Sequence, residues 1–328
     1  MADTVVAVVV TFNRKVLLCE CLDALLGQTR TVDKIIVIDN ASTDGTPEFL
    51  TERGYLPNNK IDYVRLSENT GGAGGFYEGV KRGYEAGYDW LWLMDDDAEP
   101  NTDALTKVSN HFGQFDGVVA FANLKVGEDG RPQYGHRGWF NFCRSSAIIR
   151  PISDRDLVGP IFIDHASFVG ILVSSIAIAE IGYPKRELFI HYDDVEYCTR
   201  LRQIGNICMV PESIIVHKDG RGTRYQSASL FGRKSNRHSI SGLWISYYGV
   251  RNYTWLQRNS KCGVATLLSC VGLFHFKRVV GILIYDDHKL IRIRFYINAV
   301  IDGWVGEFDN DKPARLLQTF KSKLLERL

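Results

Sequence analysis

WLWLMDDDAEP, residues 90–100, is the stretch on which the reading of the fold turns. The run from Trp90 to Met94 is apolar, as short buried strands are, and it ends in three successive carboxylates, Asp95, Asp96 and Asp97. Side chains alternate across a pleated strand, so Asp95 and Asp97 are expected on one face and Asp96 on the other. Three like charges at the end of a buried strand repel one another and cost free energy unless a cation compensates them. Carboxylate oxygens favour a hard divalent ion, Mg²⁺ or Mn²⁺. A solvated acidic turn explains the same residues, so the stretch alone leaves both readings open.

On the N-terminal side, strands and helices alternate. Val5 to Val10 (VVAVVV) is a continuous β-branched run, the pattern of a strand covered on both faces. A loop, Thr11-Phe12-Asn13-Arg14, leads into a helix over Val16 to Leu26. Lys34 to Ile38 reads as a second buried strand ending at Asp39, Thr46 to Arg53 as a helix, and Asp62 to Leu66 as a third strand. NTGGAGG at 69–75 reads as a glycine-rich loop before a helix that runs to about Ala86. This alternation with short connections predicts a parallel α/β sheet flanked by helices. Ligands of such sheets sit beyond the carboxyl ends of the strands. Thr11, Asp39, the glycine loop and the three aspartates all fall there.

Asp39 reads either as a contact to the ring N–H of a nucleotide base or as an Asx turn. The glycine loop either brings backbone N–H groups to a phosphate or sugar, or is a plain turn. It lacks GxGxxG and the Walker lysine, so neither Rossmann cofactor binding nor P-loop chemistry is supported.

On the C-terminal side the pattern is irregular from Asn101 to about Ile163, with one strand at Val118 to Ala122 and a turn-rich excursion at Gly127 to Arg137. Phe162 to Ser174 reads as a strand beneath the crevice, followed by a helix over Ile176 to Ile181. A second acidic cluster lies in YDDVEY, 192–197. There Asp193 and Asp194 open a helix through Ile204, where the helix dipole stabilises negative charge. The same placement keeps a carboxylate ionised and aimed outward, as a general base requires. Ser213 to Val216 is a strand ending at His217, a ligand only if the fold brings it to the three aspartates.

Arg221 to Ser241 reads as a polar, basic, mobile loop. Trp244 to Trp255, Cys262 to Tyr285 and Ile291 to Trp304 read as helices with aromatic and basic residues interleaved. They are either core packing with solvated charge, or a membrane-surface face on which Lys277, Arg278, Arg292 and Arg294 meet anionic lipid.

The whole chain bounds these readings. Its 328 residues suffice for one large domain or a domain with an appendage. A net charge of +1 gives no global field for nucleic acid. The seven cysteines are scattered and never spaced as CxxC, which fits reduced thiols in a cytosolic protein. No signal peptide opens the chain, and the longest uninterrupted apolar run, Cys262 to Phe274, falls short of the ~20 residues that span a membrane.

Five motifs in order, VVVTFNR at 8–14, VIDNASTDGT at 37–46, NTGGAGGF at 69–76, WLWLMDDDAEP at 90–100 and YDDVEYCTRL at 192–201, resemble inverting glycosyltransferase family 2. VHKDG at 216–220 and YYGVRN at 247–252 look like its galactofuranosyl- and rhamnosyltransferase branch. The resemblance spans roughly residues 4–255. It implies a GT-A fold, a Rossmann-like, mostly parallel α/β sheet flanked by helices, over residues 1–225. A helical region, 226–328, would follow it, associated with a membrane surface or the acceptor.

The resemblance also implies roles. Asp39 would contact the donor base and Thr11 line its pocket, with Phe12, Arg14, Asn69, Gly74, Asp95 and Asp96 completing the nucleotide-sugar contacts. Asp95 and Asp97 match the DxD metal motif and His217 a third metal ligand, for Mn²⁺ or Mg²⁺. The general base falls on Asp194, with Asp193 its rival and Glu196 a more distant one. Where galactofuranosyl polymerases carry a tryptophan pair, this chain has Ser167-Phe168-Val169-Gly170, which leaves the acceptor open.

The chemistry agrees with two acidic clusters. A metal neutralises the departing diphosphate without proton transfer. A separate carboxylate must deprotonate the acceptor hydroxyl on the opposite face. The expectation is inverting, metal-dependent transfer of galactofuranose from UDP-galactofuranose, with rhamnose from dTDP-rhamnose second. The acceptor would be a hydroxyl of a glycan or polyprenyl-linked glycan in cell-wall or polysaccharide synthesis. The enzyme would be cytoplasmic and peripheral on the inner membrane face, without a nucleic-acid partner, and oligomerisation is left open. More distant alternatives are a nucleotidyltransferase, which would want a glycine where TFNRK has none, and a non-catalytic carbohydrate-binding protein.

Overall fold

A computed structural model of the chain describes residues 3–142, 148–218, 225–230, 233–260, 262 and 264–325. It divides into two compact units, one of residues 1–140, 149–186 and 193–219, the other of 141–148, 187–192 and 220–328. The boundary thus falls after residue 219 rather than 225, and the second unit also draws two short segments from earlier in the chain.

The first unit is built on a nine-stranded sheet. Its N-terminal half alternates β1 (Val5–Thr11), α1 (Lys15–Leu26), β2 (Lys34–Asp39), α2 (Thr46–Glu52), β3 (Ile61–Arg65), α3 (Gly71–Glu85) and β4 (Trp90–Asp95). These four strands are parallel, in the order β3-β2-β1-β4. Every residue of β1 is buried because helices cover both faces. Val6, Val8 and Val10 join a core with Phe76 and Val80 of α3, while Val5, Ala7 and Val9 face Leu18, Leu22 and Leu25 of α1. That double covering is why the strand shows no polar alternation.

The remaining half is mixed. β5 (Ala98–Pro100), α4 (Ala104–Ser109), β6 (Val118–Val126), β7 (Arg137–Phe140), β8 (Ile149–Pro151), β9 (Ile161–Ile163), β10 (His165–Ala166), β11 (Ile171–Ser174), α5 (Ser175–Ile181), α6 (Asp193–Ile204) and β12 (Asn206–His217) follow. β11 inserts antiparallel between β4 and β6, β12 runs parallel to β6, and β5 closes the edge antiparallel to β12. β10, β7 and β8 form a small second sheet.

Two expectations for this unit are corrected. Residues 162–174 are not one strand but β9, β10 and β11, broken where Gly170 takes a left-handed φ of 81°. The glycine-rich stretch is not a loop, because the helix already begins at Gly71. Gly75 and Gly79, one helical turn apart, lie where a Cβ would stand 2.5 Å from Val10 and 2.3 Å from Val8. Their smallness lets α3 press onto β1.

The second unit holds a hairpin of β13 (Tyr225–Leu230) and β14 (Arg233–His238), then α7 (Leu243–Arg258), α8 (Val264–Tyr285), α9 (Lys289–Val305) and α10 (Lys312–Leu325). The hairpin replaces the expected loop at 221–241, of which residues 221–224 and 231–232 lie outside the described ones. Leu243, Tyr247, Phe295 and Ala299 form a core between α7 and α9. Among the described residues no helix is long and apolar enough to cross a membrane. Cys19, Cys21, Cys198 and Cys208 are free thiols, whereas Cys262 is disulfide-bonded, against the reduced-thiol expectation.

Within this unit the RN pair of YYGVRN has a structural use. Phe189, His191 and Tyr192 take left-handed φ values of 64°, 68° and 64°, a conformation that costs side-chain-bearing residues about 1–3 kcal/mol each. Asn252 Nδ2 donates to the carbonyls of Leu188 (2.9 Å), Ile190 (3.1 Å) and His191 (2.8 Å). The buried Arg251 guanidinium donates to those of Glu187 and Leu188. Asn252→Ala should strand buried carbonyls and lower stability by about 1–3 kcal/mol, read as a lower denaturant midpoint at constant slope. An unchanged midpoint would refute the clamp.

Candidate active site

The register of the sheet assembles the site. Thr11 lies opposite Asp39, and Val10 opposite Asp95, so the carboxyl ends of β2, β1 and β4 are level. β4 stops at Asp95, and Asp96 and Asp97 form the turn into β5. β5 pairs with β12 so that Ala98 faces His217, which brings the imidazole beside Asp97. Ligand atoms of Asp95, Asp97 and His217 lie within 4.8 Å of one another. Asp96 accepts from Thr11 Oγ1 at 2.7 Å and shares one Arg14 guanidinium nitrogen, at 3.2 Å, with Asp97. Asp95 and Asp97 come together as expected, but Asp96 is not on an opposite face, because residues 96 and 97 form a turn and one Arg14 nitrogen reaches both carboxylates.

These residues fit a divalent cation. Gln133 Nε2 donates to the His217 carbonyl, which turns the amide oxygen toward His217 Nδ1 at 3.1 Å. The ring proton then belongs on Nδ1, and Nε2 presents its lone pair. Facing it at 3.2 Å is Asp97 Oδ1, a buried oxygen without an aligned hydrogen bond. The pair is satisfied either by a proton on Nε2, which is how His217 lowers Asp97, or by a cation that takes its place. The other oxygen of Asp97 takes Arg14 at 2.7 Å.

The charges are unevenly held. Burial, then the charges of Asp97 and Asp96, push Asp95 up to about 7. Burial pushes Asp96 up to about 6 against the pull of Arg14. Asp97 overcomes its burial through His217 and Arg14 and falls to about 2. Buried Lys125 acts in the same direction on Asp95 and Asp97.

The second acidic cluster opens α6. Asp194 Oδ1 accepts its neighbour's N–H from Val195 at 2.7 Å, and Oδ2 lies 3.4 Å from His165 Nε2. Burial would raise Asp194, but His165, the Val195 N–H and His136 together lower it. Asp193, more deeply buried and beside the Asp194 charge, is pushed well up. These surroundings favour the ionised form at Asp194 and the protonated form at Asp193. Glu196 is taken by Arg200, which grips it with bonds of 2.7 to 3.2 Å.

The two clusters share one electrostatic neighbourhood. The Asp95 charge acts on Asp193. His136, whose charge acts on Asp194, has its ring 6.3 Å from that of His217.

The other expected residues are placed less distinctively. Asp39 is fully buried, accepting from the Ser42 N–H at 2.8 Å and from the Tyr63 hydroxyl. Phe12 is exposed, and Asn69 caps Gly71 N–H at 2.9 Å. Gly74 sits inside α3, its Cβ position filled by the Thr70 side chain.

Four contributors were not anticipated, Lys125, Gln133, His136 and His165. Lys125 and His165 did carry a signal, a basic residue in a largely apolar stretch (VVAFANLKV, FIDHASF). Gln133 and His136 lie in the turn-rich excursion and had none.

A level strand-end crevice with an Asp-x-Asp turn, a third ligand and a separate ionised carboxylate is the arrangement of a GT-A glycosyltransferase. Residues 6–177 match Glycosyl transferase family 2, and the chain belongs to that family. It is 32% identical over 206 residues to galactofuranosyltransferase GlfT1 of Mycolicibacterium smegmatis, covering 62% of this chain and 67% of that one. To dTDP-rhamnosyl transferase RfbF of Shigella flexneri it is 23% identical over 308 residues, 92% of this chain and 96% of the relative. Among solved structures, mannosyltransferase PcManGT of Pyrobaculum calidifontis in complex with GDP-Man and Mn²⁺ superposes with a TM-score of 0.54 at 15% identity, over 99% of this chain and 81% of that one.

Carboxylates that hold protons must release them to bind a metal. With Asp95 raised to about 7, Mn²⁺ affinity should fall as pH drops through 7, with proton release on binding. Calorimetry in two buffers of different ionisation enthalpy reads both, and pH-independent binding without proton release would contradict the site.

Proposed function

We propose that the chain is an inverting glycosyltransferase that moves galactofuranose from UDP-galactofuranose to an acceptor hydroxyl, with Asp194 as general base and Asp95, Asp97 and His217 as metal ligands. The observation that carries this reading is the convergence of Asp95, Asp97 and His217 ligand atoms within 4.8 Å, with Asp194 at the first turn of α6 in the same compact unit, its Oδ2 3.4 Å from His165. A divalent cation there supplies neutralisation of the leaving diphosphate. An imidazole beside two carboxylates suits Mn²⁺ better than Mg²⁺, which prefers oxygen ligands.

The chain's own groups supply the rest. Arg14, bridging Asp96 and Asp97, holds the turn in shape. Thr11 and Asp39 line the base pocket, where Asp39, buried beneath the strand ends, accepts a base N–H once the donor opens its way to it. Asp194 takes the acceptor proton as the hydroxyl attacks the anomeric carbon from the face opposite the leaving group. Asp193, protonated, adds no second charge to that place.

Galactofuranose is favoured by the 32% identity to the galactofuranosyl relative. A rhamnosyl donor is the second reading, because the similarity to the dTDP-rhamnosyl relative runs over 92% of the chain. Uracil and thymine present the same ring N–H, so Asp39 accepts either.

UDP-galactofuranose with Mn²⁺ should raise the melting temperature by several degrees at saturating ligand, and more than dTDP-rhamnose does. Asp194→Asn should keep that shift while metal-dependent release of UDP falls by roughly 10²–10⁴-fold. An active Asp194→Asn would move the base to Asp193, and a larger shift with dTDP-rhamnose would change the donor.

The acceptor is proposed to be lipid-linked and met at a membrane surface. Leu273, Phe276, Leu283 and Ile284 of α8 and Leu290, Ile297, Ile301 and Trp304 of α9 are exposed. Lys277, Arg278 and Arg294 are exposed among them. Arg292 is not part of this face, since it is buried and bound to Asp287 at 2.6 Å. Cosedimentation with anionic vesicles at low salt should be lost on Lys277→Glu/Arg278→Glu, and no sedimentation of the parent would remove the membrane reading.

A further inference from the structure

We propose that His165 is the positioning residue of the general base, its imidazole holding the Asp194 carboxylate in the orientation that meets the acceptor hydroxyl. The inference rests on the reading of Asp194 as the base.

His165 is an expensive residue to keep where it is. Its side chain is only 3% exposed, and neither ring nitrogen has an aligned hydrogen bond. A buried imidazole without partners costs free energy that an apolar residue of similar size would not. Among the described residues its ion-pair partner is Asp194, with Oδ2 3.4 Å from Nε2.

The contact is fixed from both sides by the helix that Asp194 itself opens. On one side of His165, the Asp164 carboxylate is bound by Arg202 of α6 at 2.9 Å. On the other, the Ala166 carbonyl accepts from the Cys198 thiol of α6 at 3.3 Å. β10 is thus stapled to α6 at the residues immediately before and after the histidine. The staples set where the imidazole stands relative to the first turn of that helix.

The division of labour at the carboxylate follows. The Val195 N–H occupies Oδ1, and the His165 imidazole stands 3.4 Å from Oδ2, within a small adjustment of a hydrogen bond to it. A lone pair remains for an acceptor proton. Among the described residues the ionisable groups acting on Asp194 include Asp193, His136, Arg137, Cys198 and His165, and Arg137 is engaged by backbone carbonyls and Ser167. His165 is the donor placed to aim the group rather than merely to stabilise its charge.

The full chain with Mn²⁺ and UDP-galactofuranose tests this, UDP release being followed against pH. His165→Leu fills the volume without a donor, and His165→Gln returns an N–H toward Oδ2. His165→Leu should lower kcat by roughly 10–100-fold, the rate equivalent of one hydrogen bond to a charged group, with donor KM within about 2-fold. Its acid limb should move to higher pH, because removing a donor raises the proton affinity of Asp194. His165→Gln should recover most of kcat and return the limb.

Carboxyl ¹³C titration, with the Asp194 resonance assigned by its loss in Asp194→Asn, reads the same shift without any donor. A His165→Leu variant with parental kcat and parental Asp194 titration overturns the proposal. Equal losses in Leu and Gln with an unmoved titration would make His165 a packing residue. An active Asp194→Asn would defeat the base assignment itself, whereas an inactive one beside a normal His165→Leu defeats this inference alone.

Discussion

Three carboxylates in a row at the end of a buried strand are the constraint that shapes the site. Asp95, Asp96 and Asp97 cannot all be ionised cheaply beside one another. The chain answers by bringing positive or proton-bearing groups from distant segments, Arg14 from the loop after β1, Lys125 from β6 and His217 from the end of β12. Each arrives through sheet register: β1 beside β4, and β5 beside β12. The charge is still not balanced, because burial keeps Asp95 near neutral pH. A site left one cation short is prepared for a divalent ion.

The same physics acts at α6 with a different result. Asp193 and Asp194 are sequence neighbours in the first turn of one helix, where the dipole favours both as anions. What separates them is local company: Asp194 meets the Val195 N–H and His165, while Asp193 is buried beside a charge. These surroundings favour charge on one carboxylate and a proton on the other. A base needs that asymmetry, and two equivalent anions would repel an electron-rich acceptor oxygen.

Much of this was legible in the chain. The β-branched runs gave the parallel strands, since only a doubly covered strand can be apolar at every position, as β1 is. The spacing Asp95-x-Asp97 carried the acidic cluster, whose ligand atoms do converge although the last two residues form a turn. What was not legible came from non-local pairing. No local pattern announces that His217 will face Ala98, or that His165 will stand over α6. The glycine-rich stretch misled for a related reason. Composition cannot tell a glycine needed for a turn from one needed for close packing, and Gly75 and Gly79 are of the second kind. The hairpin at 225–238 was hidden by its polarity, which gives no two-residue hydrophobic period to read.

The turn between β10 and β11 bears on what the enzyme accepts. Where galactofuranosyl polymerases of the resembled branch carry a tryptophan pair, this chain places Ser167, Phe168 and Val169, all buried. Phe168 packs on Phe76 of α3 with ring centroids 4.6 Å apart and on Tyr197 of α6 at 5.9 Å. A ring so enclosed adds to the core and presents no face for a sugar to stack upon. Gly170 then reverses the chain at a φ of 81°, where an added Cβ would lie 2.3 Å from Ile215. The turn is thereby held tight against the sheet, with no room for an outward aromatic. A growing glycan held by stacked aromatics therefore lacks its platform at this turn.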